Sequence, residues 1–152
     1  MKNVILGIGN NIVTDDGIGL FVAQKLRKED LNVEIIESFD SGFNLLDHII
    51  DFDRAIFIDS IRTGKNEIGA VTLYNINDFK KTVPYSIHST DICSAIDYSK
   101  NCGFNIPDDI FFIGIEIKDN FTFGDKFTEE INSQKETIYK NVKKKVCEIL
   151  KN

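Results

Sequence analysis

Residues 7–19 read GIGNNIVTDDGIG, and the rest of the fold can be worked out from this stretch. A short apolar run from Val4 to Leu6 precedes it and predicts a buried strand that ends at the glycines. Apolar residues at helical spacing follow it, namely Ile18, Phe21, Val22 and Leu26. We therefore expect a strand, a glycine-rich loop and then a helix, with Thr14 or Asp15 as the helix N-cap.

The alternation of strand and helix patterns continues along the chain. Further apolar runs predict strands at residues 33–36, 55–59, 70–74 and 110–115. Helical patterns predict a short helix at about 43–50, a helix that begins at His88, and a long helix from about Lys126 onward. The loop before the fourth strand is too short for a helical crossover, so that strand is expected to be antiparallel. The sequence predicts one domain, residues 1–152, with a three-layer α/β/α sandwich and a mostly parallel five-stranded sheet.

Composition and charge limit the classes of partner. Acidic residues outnumber basic ones by 24 to 18, and the net charge of −6 argues against a nucleic-acid partner, which requires a concentrated basic face. No apolar run approaches the ~18 residues of a membrane span, and glycines follow the first strand too soon for a signal peptide. Three cysteines without a Cys-x-x-Cys pair are most simply reduced thiols. We expect a cytoplasmic monomer with no membrane partner.

Polar side chains that could carry out chemistry follow the predicted strands. In open α/β sheets, ligands bind beyond the carboxyl ends of the strands. The candidates at that edge are Asn10, Asp15, Asp16, Asp40, Asp59, His88, Glu116 and Asp119. Two carboxylates and one imidazole from separate loops suit nickel, zinc or a similar divalent ion. Three protein ligands would leave positions open for water or substrate.

Each candidate also has a purely structural interpretation. Asp15 and Asp16 at a helix start are stabilised by the helix dipole, by roughly 0.3–1 kcal/mol each. Asp59 could accept backbone hydrogen bonds in the next turn, although a carboxylate that ends a buried strand is costly unless it is paired or bound. His88 alone would be an ordinary surface histidine, and His48 among leucines and isoleucines is structural or merely exposed.

The same residues are also compatible with two other classes of protein, a dinucleotide-binding protein and a receiver domain. Gly7 and Gly9 suggest a dinucleotide fingerprint, but Ile12 stands where the third glycine belongs. A receiver domain of two-component signalling would use Asp15 and Asp16 as its acidic pair, Asp59 as the phospho-acceptor and Lys118 as its lysine. Receivers place the acidic pair directly at the strand end, whereas this chain interposes residues 7–14.

The 7–19 stretch closely resembles the N-terminal signature of the hydrogenase maturation proteases, roughly Gly-x-Gly-Asn-x-Leu-x-x-Asp-Asp/Glu-Gly-x-Gly. Further similarities follow in the family's order. They are Asp40-Ser41-Gly42 in a turn, Asp59 at a strand end, Ser86-Ile87-His88 at a helix start, and Ile113-Gly114-Ile115 in the last strand. Phe43 departs from the threonine that the family often has.

The resemblance implies a function and a set of residues. These enzymes remove a C-terminal extension from the large-subunit precursor of a nickel-iron hydrogenase after nickel insertion. By resemblance, Asp16, Asp59 and His88 contact nickel supplied by the substrate, and Asp16 or Asp59 could activate water. We expect Asn10, Asp40 and Gly42 to contact the substrate. A nickel-centre chaperone without proteolytic activity stays open as an alternative.

Overall fold

The computed structural model describes residues 1–82, 89–119 and 121–152, and its centre is a five-stranded sheet. The strands are β1 (Asn3–Ile8), β2 (Glu34–Ser38), β3 (Arg54–Ile61), β4 (Val71–Asn75) and β5 (Asp109–Glu116). Their order in the sheet is β2-β1-β3-β5-β4. Only β4 is antiparallel to its neighbour, which confirms the predicted mostly parallel sheet with one antiparallel strand.

Five α-helices are described with the sheet. They are α1 (Ile18–Leu26), α2 (Ile76–Thr82), α3 (Ser89–Asn101), α4 (Glu129–Asn132) and α5 (Lys135–Lys151). In the described ranges, no helix combines the length and the apolar character that crossing a membrane requires.

The alternation of side chains along the strands produces the layers. All eight residues of β3 are buried, as expected for a central parallel strand. Ala55 and Phe57 belong to one apolar cluster, which also contains residues of α3. Ile56 and Ile58 belong to a second cluster, which contains residues of α1 and α5. The sheet therefore has a core on each face, which confirms the predicted α/β/α sandwich.

Several element boundaries differ from the sequence predictions. A 3-10 turn, Thr14–Gly17, precedes α1, and no side chain caps either element, so the predicted N-cap role of Thr14 or Asp15 is wrong. The short helix predicted at 43–50 is a 3-10 helix, Gly42–His48. The predicted C-terminal helix is divided into α4 and α5, and α2 was not predicted at all. Asp15 does not cap the turn because its carboxylate binds Thr128, and the Thr14 hydroxyl donates to the carbonyl of Thr122 instead. Apolar periodicity alone does not locate the ends of helices.

Close backbone contacts explain the glycines of the 7–19 stretch. A Cβ on Gly19 would lie 2.4 Å from the carbonyl oxygen of Ile8 and 2.6 Å from that of Ile58. A Cβ on Gly9 would lie 2.1 Å from the carbonyl oxygen of Asp16. The start of α1 can therefore lie directly against β1 and β3, and the turn that carries Asp16 is held against the end of β1.

Candidate active site at the carboxyl edge of the sheet

Asp16 is a buried carboxylate on the 3-10 turn between β1 and α1. It is 3% exposed. Its Oδ2 accepts a hydrogen bond from the backbone N–H of Asn10 at 3.0 Å, and its Oδ1 accepts one from the Ser60 hydroxyl at 2.7 Å. These bonds offset part of the cost of burying the charge and fix the plane of the carboxylate.

Asp59 is the second buried carboxylate and lies in β3, two residues before the strand ends at Ile61. It is 5% exposed, and its Oδ1 accepts the backbone N–H of Ser60 at 2.8 Å. Ser60 therefore donates to both carboxylates, with its backbone N–H to Asp59 and its hydroxyl to Asp16. The structure thus brings together two of the residues selected from the sequence, and it adds Ser60, which sequence reasoning missed.

Asp15 points away from this pair and binds a distant segment. Its Oδ1 accepts the backbone N–H of Thr128, and its Oδ2 accepts the Thr128 hydroxyl, both at 2.8 Å. Burial raises the pKa of Asp15, and the two hydrogen bonds from Thr128 oppose that rise. Asp15 therefore fastens the loop after β1 to the start of α4.

Asp40 lies after β2 and is paired with His48. Its Oδ2 is 3.1 Å from Nε2 of His48 and accepts the Ser38 hydroxyl at 3.0 Å. The His48 hydrogen bond, followed by the Ser38 bond, holds the pKa of Asp40 below its usual value. Gly42 has φ 57°, which is the left-handed region, and starts the 3-10 helix that carries His48. His48 is therefore the partner of Asp40, a role that its apolar sequence context did not indicate.

Asn10 shapes the loop that holds Asp16. Its side-chain Oδ1 accepts the backbone N–H of Ile12 at 3.1 Å, while its own backbone N–H donates to Asp16. The substrate contacts predicted for Asn10, Asp40 and Gly42 stay predictions.

Glu116, the last residue of β5, and Asp119, which follows the strand, both organise loops. Glu116, almost fully buried, accepts the backbone N–H of Thr63 at 2.7 Å and also the Thr63 hydroxyl, which anchors the loop after β3. Asp119 accepts the backbone N–H groups of Phe121 and Thr122 at 2.9 Å, together with the Thr122 hydroxyl. The Thr122 hydroxyl bond, followed by those backbone bonds, lowers the pKa of Asp119 to about 2.

The loops after β1 and β5 are joined to each other. Val13 and Phe123 form an isolated antiparallel bridge, and the backbone N–H of Gly124 donates to the carbonyl of Ile12 at 2.9 Å. The Asp119 turn therefore supports the loop that carries Asp16.

The third predicted nickel ligand, His88, lies outside the described residues. Within residues 1–82, 89–119 and 121–152, no group of three or more histidine, cysteine, aspartate or glutamate residues is placed to hold a metal ion. The described part of the site is thus a pair of carboxylates bridged by Ser60. A divalent ion at this pair would need further ligands from elsewhere, because two carboxylates do not complete its coordination.

Large apolar side chains project from the loops at the same edge. We define the apolar rim as five residues on the segments that follow β1, β2 and β5, each 57–80% exposed: Ile12, Phe39, Phe43, Phe121 and Phe123. The guanidinium of Arg62 lies 5.0 Å from the ring centroid of Phe121. Exposed apolar residues concentrated at one edge are typical of a surface that binds a macromolecule.

The fold and the paired acids define an α/β protein with a carboxylate site at the carboxyl edge of its sheet. The model of the hydrogenase maturation protease family matches residues 21–145, so the chain belongs to that family. The strand order of this sheet is 2-1-3-5-4, with β4 antiparallel at one edge. Receiver-type folds instead have the order 2-1-3-4-5.

Known proteins agree with this assignment. The hydrogenase maturating endopeptidase HybD from Escherichia coli superposes with a TM-score of 0.77 at 22% identity, covering 93% of this chain and 90% of that one. The [NiFe] hydrogenase maturation protease HycI from Thermococcus kodakarensis KOD1 superposes with a TM-score of 0.70 at 27% identity, covering 99% and 93%. The hydrogenase 2 maturation protease of Escherichia coli K12 is 26% identical over 107 residues, which span 65% of each chain.

Proposed function

We propose that this chain is an endopeptidase that removes the C-terminal extension of a nickel-iron hydrogenase large-subunit precursor after nickel insertion. The observation that carries the proposal is the buried Asp16–Ser60–Asp59 arrangement at the carboxyl edge of the sheet, in a member of the hydrogenase maturation protease family. Nickel enters this reaction as part of the substrate.

The chemistry of the carboxylate pair supports recognition of a substrate-borne dication. Asp16 and Asp59 are both nearly buried, so a positive charge that approaches them meets little screening by water. Carboxylate oxygens bind divalent ions, and His88 would add a nitrogen donor of the kind that nickel accepts. The precursor's own groups would complete the coordination.

Two routes to the attacking water are compatible with this arrangement. The substrate's nickel could polarise the scissile carbonyl, or Asp16 or Asp59 could take a proton from water. In both routes the carboxylates must be ionised and correctly oriented. Both routes therefore require the same acidic side chains.

The apolar rim supports a protein substrate. Its five residues lie on the segments that follow β1, β2 and β5, close in sequence to the strand ends that hold the site. A folded large subunit offers enough surface to cover such residues, and burial of apolar area contributes about 25 cal/mol per Å². Docking on the rim would bring the C-terminal extension to the carboxylate pair.

The decisive experiment follows the mass of the precursor during incubation with this protein. Nickel-loaded and nickel-free forms of each large subunit of the source organism should be compared. We expect only the loaded form to lose its extension. Shortening of the nickel-free form at the same rate would contradict nickel recognition. Stable binding of the loaded precursor without shortening would instead support the nickel-centre chaperone.

Three substitutions test the residues. Asp16→Asn and Asp59→Asn keep the side-chain shape but remove the charge, and His88→Ala removes the nitrogen donor. All three should abolish processing. Asp30→Asn is a matched control, because Asp30 is an exposed acid before β2, at the opposite edge of the sheet. Normal processing by His88→Ala would exclude that residue from the site.

A further inference from the structure

Ser60 connects the two carboxylates of the site through two different donor groups. Its backbone N–H lies 2.8 Å from Oδ1 of Asp59, and its hydroxyl oxygen lies 2.7 Å from Oδ1 of Asp16. We propose that Ser60 is a positioning residue that fixes the orientation of Asp16 relative to Asp59 for the reaction. This inference rests on the function proposed above.

The scaffold on the Ser60 side is rigid. Ser60 lies in β3 and is paired with Ile115 of β5, so its backbone is held by the ladder of the central sheet. Asp16 instead lies on a short 3-10 turn between two elements. The Ser60 hydroxyl therefore fixes the position of the Asp16 carboxylate relative to β3.

Burial makes this hydrogen bond effective. Ser60 is 6% exposed, and the two carboxylates are similarly buried, so water competes poorly for their oxygens. The backbone N–H of Asn10 binds the other oxygen of Asp16. These two donors bind different oxygens of Asp16, and together they favour one orientation of the carboxylate plane. Loss of the Ser60 hydroxyl removes one of the donors that oppose rotation about the terminal side-chain bond of Asp16, and that bond has a broad energy minimum.

Two hydroxyl side chains, those of Ser60 and Thr63, allow an effect on the reaction to be distinguished from an effect on protein stability. The Thr63 hydroxyl also donates to a carboxylate at this edge, that of the buried Glu116, which organises the loop after β3. Ser60→Ala and Thr63→Val each remove a hydroxyl donor from a buried acid. Both should lower the melting temperature by similar amounts, whereas only Ser60→Ala should affect the reaction.

The kinetic test uses the nickel-loaded precursor and measures kcat and KM separately. A hydrogen bond to a charged group corresponds to about a 10- to 100-fold effect. We expect Ser60→Ala to lower kcat by about this factor and to change KM little, because the apolar rim is untouched. Ser60→Thr keeps a hydroxyl and should recover most of kcat. Equal kinetics for Ser60→Ala and Thr63→Val would overturn the proposal.

A structural test does not depend on any activity. Crystal structures of the unliganded wild-type protein and Ser60→Ala should show the Asp16 carboxylate rotated in the variant, with Asp59 and β3 unchanged. An unmoved Asp16 would overturn the positioning role. If Asp16 rotates but the wild-type protein processes no precursor, the positioning stands and the proposed function fails. The two failures are therefore distinguishable.

Discussion

Asp15 and Thr128 are 113 residues apart in the sequence and are joined by two hydrogen bonds, one to each oxygen of the carboxylate. The Asp15 side chain is completely buried. Thr128 immediately precedes α4, so this contact ties the loop that carries the candidate site to the C-terminal helices. The orientation of Asp15 also leaves the adjacent Asp16 to bind Ser60.

Thr128→Val should therefore destabilise the protein. Valine has nearly the same shape but removes the hydroxyl donor, and a buried carboxylate that loses a partner costs about 1–3 kcal/mol. We expect the free energy of unfolding, measured by chemical denaturation, to fall by that amount. Ser133→Ala removes an exposed hydroxyl nearby and should change it by about 0.5 kcal/mol or less. Equal effects of the two substitutions would mean that the Asp15 contact contributes nothing.

The Asp15 contact also shows where sequence reasoning reached its limit. Helix-capping rules consider neighbours within one turn, so they assigned Asp15 to the start of α1. Its actual partner is a threonine at the other end of the chain, which local spacing does not reveal. The central strands, in contrast, were predictable, because continuous apolar runs such as residues 55–58 indicate burial on both faces.

The Asp119 turn should contribute stability that depends on pH. The hydrogen bonds from Thr122, followed by that from Phe121, lower its pKa from the ordinary 3.8 to about 2 in the folded protein. A lowered pKa stabilises the folded state above pH 3.8, and this contribution is lost as pH falls toward 2. Asp119→Asn should lower the melting temperature at pH 5. Between pH 4 and pH 2, the melting temperature of the variant should fall less than that of the wild type, because the variant has no carboxylate to protonate at this position. Parallel melting curves for the two proteins across that range would contradict the prediction.

The apolar rim should contribute to binding of the precursor more than to folding. Phe123 is 80% exposed, so replacing it loses little internal packing. We expect Phe123→Ser to raise KM for the loaded precursor about tenfold and to leave kcat nearly unchanged, because the loss of uniform binding affects KM. Phe104→Ser is the matched control, since Phe104 is 56% exposed and precedes β5 at the opposite edge of the sheet. An equal rise in KM for both variants would indicate a non-specific effect.

The candidate site was only partly predictable from the sequence. Because acids that follow parallel strands meet at one edge of the sheet, the sequence predicts eight candidate residues there. The resemblance to the hydrogenase maturation proteases then reduces these to Asp16, Asp59 and His88. Ser60 was missed because a serine beside an acid has no periodic or compositional signal. Its role depends on the hydroxyl reaching a loop that is 44 residues earlier in the chain. Tertiary geometry, rather than residue type, identifies it.

The purified protein should contain little nickel or zinc. Two carboxylates and one histidine make a weak site for these ions when no fourth protein ligand is present, and the precursor is expected to supply the remaining donors. We predict metal well below one ion per chain after dialysis, measured by inductively coupled plasma mass spectrometry. If the precursor supplies the nickel, Asp16→Asn has no resident ion to lose and should have the same low metal content. Stoichiometric metal in the wild type that disappears in Asp16→Asn would identify a self-contained metallohydrolase, and nickel would then be a resident cofactor rather than part of the substrate.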